Sequence, residues 1–428
     1  MKKSSRWSRR TALHHIDSQL LPKKGIYPEI MTKSNGQPCR NDSLTSVEVS
    51  TRNDPDIEYP VADGHADQTD AWYWKEAVEL LPSFEEIAAG LRDREAEELF
   101  RAQSMELFGQ SGAGVDINFR ILPNASLAID VAMTAFARRE WNVLLMEPVF
   151  DNLALYGKER GVYEWPLDEA ALRQYGADAV DTATADVVFL VSPNNPTGFT
   201  LDEETLTAIA QKCARDRTTL AIDASFRAYD TSGANHYAIL REAGCSWIVI
   251  EDTGKVLPTA ERKASIISCS NDLKTDVNQI CEIHVLGWSK PILVMLTHLF
   301  ERFQEVGLER ALHGRIRRAR SQVRKAVAGT FVRPALSATG STLPVEWLEI
   351  LDDRYDDLVI AEYLAEQGLG VLPGRHFFWA GDDERNRRFI RISLLKDEAL
   401  VEKAAERLRS SLLNIGEELG SEGVRRAG

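Results

Sequence analysis

The sequence predicts an α/β protein with a mostly parallel central sheet, and three observations carry that expectation. Short apolar runs alternate with amphipathic stretches through the middle of the chain, a pattern that places strands in one layer with helices covering its faces. Three successive runs end in chemically distinctive residues: Ser192-Pro193-Asn194-Asn195-Pro196-Thr197-Gly198, Asp223-Ala224-Ser225-Phe226-Arg227 and Glu251-Asp252-Thr253-Gly254-Lys255. The 428 residues, 44% of them apolar, exceed one typical domain and suffice for a large core.

Taken in order, residues 1–56 are expected to be a disordered or lid-like segment. Lys2, Lys3, Arg6, Arg9, Arg10, Lys23, Lys24, Lys33 and Arg40 oppose only Asp17 and Glu29, without the apolar core of a secretory signal. Translation from Met31 within disordered polar sequence is the plainest account, a functional basic tail the other. Residues 57–318 are expected to form an N-terminal arm and a large domain. Ala96, Leu99, Phe100, Met105, Leu107 and Phe108 recur at helical spacing over Glu95–Gln110. Asp116–Leu122, Asn142–Met146, Val187–Val191, Thr219–Asp223, Trp247–Glu251 and Ala264–Cys269 read as strands. Residues 319–428 are expected to form a smaller α+β domain containing Gly368–Leu372, Phe389–Ser393 and a closing helix from Glu398.

Charge and cysteine usage narrow the function classes. A formal net charge of -14 argues against nucleic-acid and anionic-membrane partners. The most apolar stretch, Val285 to Phe300, is interrupted by Lys290 and Pro291 and is short for a bilayer span. Cys39, Cys213, Cys245, Cys269 and Cys281 form no CxxC pair and no metal-ligand spacing, so a reducing cytoplasm and a metal-free site are expected.

The three strand ends supply what a protein needs to hold pyridoxal 5'-phosphate. The amine of Lys255 can bond covalently to the cofactor aldehyde, and the carboxylate of Asp223 can keep the pyridine nitrogen protonated, so that the ring accepts electrons. Asn195 can donate to the phenolic oxygen from a turn shaped by Pro196, Thr197 and Gly198. Any one of these residues alone reads as a solvated loop residue; the ordered trio is the signal.

From about residue 57 onward the chain resembles the fold-type I pyridoxal-phosphate enzymes, the aspartate aminotransferase superfamily. The Asn-Pro-Thr-Gly turn matches Asn195 to Gly198, the ring-nitrogen Asp matches Asp223 and the cofactor Lys matches Lys255. The resemblance further implies that Lys263 grips the phosphate, with Arg262 beside it, and that Arg391 in Arg388-Phe389-Ile390-Arg391-Ile392-Ser393 binds the substrate α-carboxylate. Phe150 stands where the family stacks an aromatic ring on the pyridine, and Asn124, Ala125 and Ser126 open a helix whose backbone N–H groups suit a phosphate. Phe150 also reads as core packing, and Asn124 or Ser126 as a helix cap. Members share active-site residues across a two-fold interface, which implies a homodimer.

Two departures point further. Phe226 replaces a Tyr whose hydroxyl would bond the phenolic oxygen, and Asp252 replaces a phosphate-binding Ser, leaving Thr253 to take that contact. An extra carboxylate suggests a cationic substrate. With Ser225-Phe226-Arg227, the run Trp247 to Lys255, Pro258-Thr259, Arg375-His376-Phe377-Phe378-Trp379-Ala380 and Ala62-Asp63-Gly64-His65-Ala66-Asp67-Gln68, the chain resembles the pyridoxal-phosphate- and O2-dependent L-arginine oxidases, including the arginine 4-hydroxylases of enduracididine-type antibiotic pathways. That resemblance implies L-arginine or a similar cationic amino acid and O2 as substrates. It also implies a guanidinium held by Asp63 and Asp252, proton or water handling by His65, and an N-terminal segment that closes over the substrate. Ser225 and Thr253 complete the expected cofactor contacts. An aminotransferase of a basic amino acid, an arginine desaturase or capreomycidine-type cyclase, and a catalytically silent binding module remain the alternatives. Read by itself, Asp63-Gly64 is an ordinary turn and His65 a solvated loop residue.

Overall fold

The computed structural model describes residues 43–426, apart from residues 67, 68, 70, 112–116, 258, 260, 261 and 382, with side chains through residue 415. The expectations attached to Met31, Cys39, Asp67, Gln68, Asp116 and Pro258 lie outside the described residues. Seven strands form the central sheet: Asn118–Leu122 (β1), Val143–Glu147 (β2), Glu164–Asp168 (β3), Val187–Val191 (β4), Thr219–Asp223 (β5), Trp247–Asp252 (β6) and Ser265–Cys269 (β7). Their spatial order is β1-β7-β6-β5-β4-β2-β3. The pairings from β3 through β2, β4 and β5 to β6 are parallel. β7 is antiparallel to both β6 and β1, so β1 points the same way as β6.

The central strands β4, β5 and β6 are buried along their whole length. Strands covered on both faces need continuous apolar runs, which is why Val187–Val191 and Thr219–Asp223 begin and end where the sequence pattern does. β3 was not expected. Its Glu164-Trp165-Pro166-Leu167-Asp168 carries a proline and alternates weakly, a composition tolerated because β3 pairs only with β2 at the sheet edge. The expected helix over Glu95–Gln110 spans Asp93–Leu107: Arg92 donates its backbone N–H to Glu95 Oε2 at 2.8 Å and starts the helix earlier.

A second, antiparallel sheet has Val332–Pro334 (β8), Val345–Ile350 (β9), Leu372–Pro373 (β10) and Phe389–Ser393 (β11) in the order β10-β11-β9-β8. Ala319, the expected start of the smaller unit, falls inside the helix Gly314–Val327 that leads into this sheet. The closing helix begins at Glu398 as the sequence predicts. Tyr59–Pro60 pairs in parallel with Leu369–Gly370 and ties the start of the folded chain to this region. No helix among the described residues is long and apolar enough to cross a membrane.

Two helices position the site. Leu44–Asn53 (α1) lies within the segment expected to be disordered or lid-like. Ser43 caps it by accepting the Ser46 N–H at 3.2 Å, and Leu44, fully buried, donates its N–H to Asp151 Oδ2 at 2.8 Å. The helix stops two residues before Pro55, which cannot continue the ladder. Ala125–Arg138 (α2) follows β1 and buries Ala128, Ile129, Val131 and Ala132 among other apolar residues.

Candidate functional site

β4, β5 and β6 are neighbours, and parallel strands bring their C-terminal ends to one edge. The register sets Val191 opposite Asp223 and Asp223 opposite Ile250. With strands about 4.8 Å apart, the turns carrying Asn195, Asp223 and Lys255 open side by side, at the edge where open α/β sheets bind their ligands. The turns after β1 and β2 add Asn124 and Phe150. Together these ends enclose a cavity of about 490 Å³ whose lining includes Asn195, Asp223, Asp252, Lys255, Phe150 and His65.

Each polar residue is held in a particular way. Asp223 is 6% exposed, and Ser225 donates its hydroxyl at 2.6 Å and its N–H at 2.9 Å to the same oxygen, Oδ1. Burial pushes the Asp223 carboxyl up, against Ser225 and the Lys255 charge. A buried carboxylate with neutral donors on one oxygen suits a pyridinium proton on the other. Asn195 accepts from Arg391 Nη1 at 3.3 Å. Its turn is braced from below by Glu169, whose Oε2 accepts from Asn194 Nδ2 and Thr197 Oγ1 at 2.5 Å each. Gly198 closes the turn at φ +77, and a Cβ there would lie 2.0 Å from Ser341 Oγ.

The side of the cavity expected to take the phosphate is built from α2 and the β6–β7 turn. Asn124 accepts the Leu127 N–H at 2.9 Å, so it caps α2 while Asn124, Ala125 and Ser126 line the cavity. The cap and the pocket wall are thus one residue. Lys263 crosses beneath Gly254, where a Cβ would lie 2.7 Å from its Cδ, and reaches His65 Nε2 at 3.0 Å. Thr253 accepts the Ala264 N–H at 2.9 Å and turns toward the backbone rather than the cavity. Phe150 combines both of its sequence readings: it lines the cavity and packs edge-on against Phe377.

Asp252 enters the cavity beside Lys255 and Lys263; it is 9% exposed and its Oδ1 has no hydrogen-bond partner among the described residues. Burial pushes its carboxyl up, the two lysines oppose this and Asp223 adds to it. Asp63, expected to share a guanidinium with Asp252, turns elsewhere. Its Oδ1 accepts from the His65 backbone N–H at 2.9 Å and lies 2.6 Å from His65 Nδ1, while Oδ2 accepts from Arg52 Nη1 at 2.7 Å. Burial opposes ionisation of Asp63, but the His65 bond and the Lys396 and Lys255 charges hold its carboxyl well below the usual carboxylate range. His65 is pushed down by the Lys255 charge, then by burial and Lys263, against the pull of Asp63.

Arg391, at the centre of β11, is 1% exposed. Its Nη2 donates to Glu48 Oε1 at 2.5 Å and to the Ala62 carbonyl at 2.6 Å. Glu48, Arg52 and Glu169 were missed by sequence reasoning. For the first two the available signal was an acid and a base four residues apart in Leu44–Asn53, on one helical face; for Glu169 the sequence offers none.

The donor set fits pyridoxal phosphate: a lysine at the cavity floor, a buried carboxylate for the ring nitrogen, an aromatic wall and a helix N-terminus. Comparison with known proteins agrees. The family model for aminotransferase class I and II matches residues 89–408. The solved structure of MppP soaked with the product 2-ketoarginine is 32% identical, with a TM-score of 0.77 over 82% of this chain and 99% of that one. A probable N-succinyldiaminopimelate aminotransferase from Thermus thermophilus shares the fold at 17% identity, with a TM-score of 0.67 over 86% of this chain and 99% of that one. Among curated proteins, histidinol-phosphate aminotransferase from Caldanaerobacter subterraneus subsp. tengcongensis is 34% identical over 88 residues, 20% of this chain and 25% of its own length. The match to the corresponding Aeromonas hydrophila enzyme covers 29% of that protein, so the chain spans under a third of these curated relatives. The cofactor of the site is pyridoxal 5'-phosphate.

Proposed function

The chain belongs to the aminotransferase class I and II family, and from that premise we propose that it is an O2-dependent oxidase or hydroxylase of L-arginine. The products are 2-ketoarginine, or 4-hydroxy-2-ketoarginine after a second two-electron oxidation and addition of water at C4, with ammonium and with O2 reduced by the electrons removed. Bound pyridoxal phosphate supplies an electron-accepting ring in conjugation with the substrate α-carbon.

The chain's own residues then divide the work. Lys255 holds the cofactor and, once exchanged for the substrate amine, takes the α-proton. Asp223 keeps the proton on the ring nitrogen, and Ser225 serves the cofactor through Asp223. Asn124, Ala125 and Lys263 hold the phosphate, Thr253 stiffens the turn beneath it, and Phe150 stacks on the ring. Arg391 and Asn195 bind the α-carboxylate. Asp252 takes the guanidinium, with Asp63 behind it as the partner of His65, which handles protons or water as a neutral imidazole.

The observation that carries the substrate class is Asp252. A buried carboxylate in the cavity wall, with one oxygen unpartnered among the described residues, calls for a cation, and a guanidinium brings two N–H donors in a planar fork. Phe226, which lines the cavity without a hydroxyl, and the likeness to MppP support the oxidative branch. A homodimer in the cytoplasm is the setting proposed for it. Oxygen uptake by the cofactor-loaded protein with L-arginine and no keto acid tests this reading. Sustained uptake with ammonium and ketoarginine or its 4-hydroxy form is expected; turnover only on addition of a keto acid assigns the chain to amino-group transfer instead.

A further inference from the structure

α1 carries two charges one helical turn apart, Glu48 in the cavity wall and Arg52 behind it. Glu48 takes Arg391, and Arg52, four residues on, takes Asp63. At that spacing both side chains leave the same face of the helix. Asp63 is 3% exposed and Arg52 45%, so a half-exposed guanidinium closes over a buried carboxylate. The two Asp63 oxygens are divided: Oδ2 belongs to Arg52 and Oδ1 to His65. On the far side of the imidazole, Lys263 Nζ lies 3.0 Å from Nε2. An ammonium only donates, so Nε2 accepts and the ring proton sits on Nδ1, directed at Asp63.

We propose that Arg52 is a positioning residue for His65, acting through Asp63. Its grip on Oδ2 stops the carboxylate from rotating and aims Oδ1 at Nδ1. Its charge also offsets part of the Asp63 charge, so the imidazole stays neutral, with Nδ1 donating to Asp63 and Nε2 as its acceptor face. This rests on the reading of His65 as the residue that handles protons or water in turnover.

The charges around His65 fix the sign of the effect. Lys255 and Lys263 face the ring and disfavour its protonation, and Lys396 Nζ reaches the His65 carbonyl at 3.4 Å. Asp63 favours protonation, as do Glu48, which has a carboxylate oxygen within 4.8 Å of an Asp63 oxygen and a His65 ring nitrogen, and Asp252 across Gly254. Arg52 acts with the lysines. Without it, Asp63 would present its whole charge to the imidazole, and the protonated ring would be favoured.

The test uses the full-length, cofactor-loaded protein with Arg52→Gln, Arg52→Lys and His65→Asn, read by kcat, KM and the pH profile with L-arginine, together with NMR titration of the His65 ring. Arg52→Gln is expected to lower kcat about tenfold with little change in KM, because the ring is no longer held in register. It is expected to move the His65 titration and the acid limb of the profile upward by about half a unit, and Arg52→Lys to restore both. A role confined to holding the fold would lower the yield of folded protein without moving either titration. A His65 titration identical to that of the parent in Arg52→Gln overturns the proposal. Full activity in His65→Asn overturns the reading of His65 while leaving the NMR shift to decide the role of Arg52.

Discussion

Glu48 and Arg391 form a buried ion pair at 2.5 Å, which puts a carboxylate of the chain itself into the fork proposed for the substrate α-carboxylate. Arg391 Nη2 is already shared between Glu48 and the Ala62 carbonyl, so a carboxylate bound at Nη2 is expected to displace Glu48 from it. Glu48→Gln removes the competing charge. It is expected to tighten binding of L-arginine and L-norleucine alike by about tenfold, or ~1.4 kcal/mol, in absorbance titrations of the loaded protein. Weaker binding of both would mean that Glu48 holds the substrate instead of standing in for it.

Lys255→Ala is expected to abolish the visible absorbance of the lysine-linked cofactor and all turnover, while the far-UV circular dichroism is unchanged. Lys255 lines the cavity and lies outside the apolar core, so its loss leaves the fold intact. Retention of the visible band would move the covalent attachment to another residue.

Asp252→Asn keeps the shape of the side chain and removes its charge. A hydrogen bond to a charged group contributes roughly 1.5–3 kcal/mol, so arginine binding is expected to weaken by about 10–100-fold. Norleucine, of similar length and without a cationic end, is expected to change by less than about threefold. Equal losses for the two ligands would remove the guanidinium assignment.

Glu164 supplies a pH-dependent stability. Burial pushes its carboxyl up to about 8, and its Oε1 has no hydrogen-bond partner among the described residues. An acid whose folded-state pKa is raised favours the fold fully at low pH, below its unfolded value, and that contribution is lost as pH rises toward 8. Glu164→Gln is expected to match the parent in melting temperature near pH 4 and to exceed it at pH 8 to 9. Parallel melting curves across that range would show that the carboxyl titrates normally.

The cofactor half of the site was legible because its signals are local. Each of β4, β5 and β6 is an apolar run ended abruptly by a polar residue, and the order of those ends follows the order of the strands in the sheet. The substrate half was legible only as residue types. Leu44–Asn53 has little apolar periodicity, and its charges find partners at Asp63 and Arg391 that no local pattern announces. The expectation of Asp63 as a substrate contact comes from the resemblance to the L-arginine oxidases; in the structure Arg52 already supplies a guanidinium to it. β3 escaped because Pro166 marks a loop unless the strand is at an edge, and β9 because its acids, Glu346 and Glu349, hide an otherwise apolar run. Arg320 and Arg324 both pair with Glu346, which is how that charge is buried inside a sheet.

The parallel pair of Tyr59–Pro60 with Leu369–Gly370 bears on the order of assembly. The residues from Asn195 to Lys255 come from consecutive strands and can meet as soon as that portion of the chain has been made. Glu48 waits for Arg391, 343 positions later, and the strand pair beside it closes a loop almost as long. Contacts of such high sequence separation form late, after the entropy of closing the intervening chain has been overcome. During synthesis the cofactor platform is therefore expected to mature first, and the segment that completes the polar half of the cavity to dock once the C-terminal region is available.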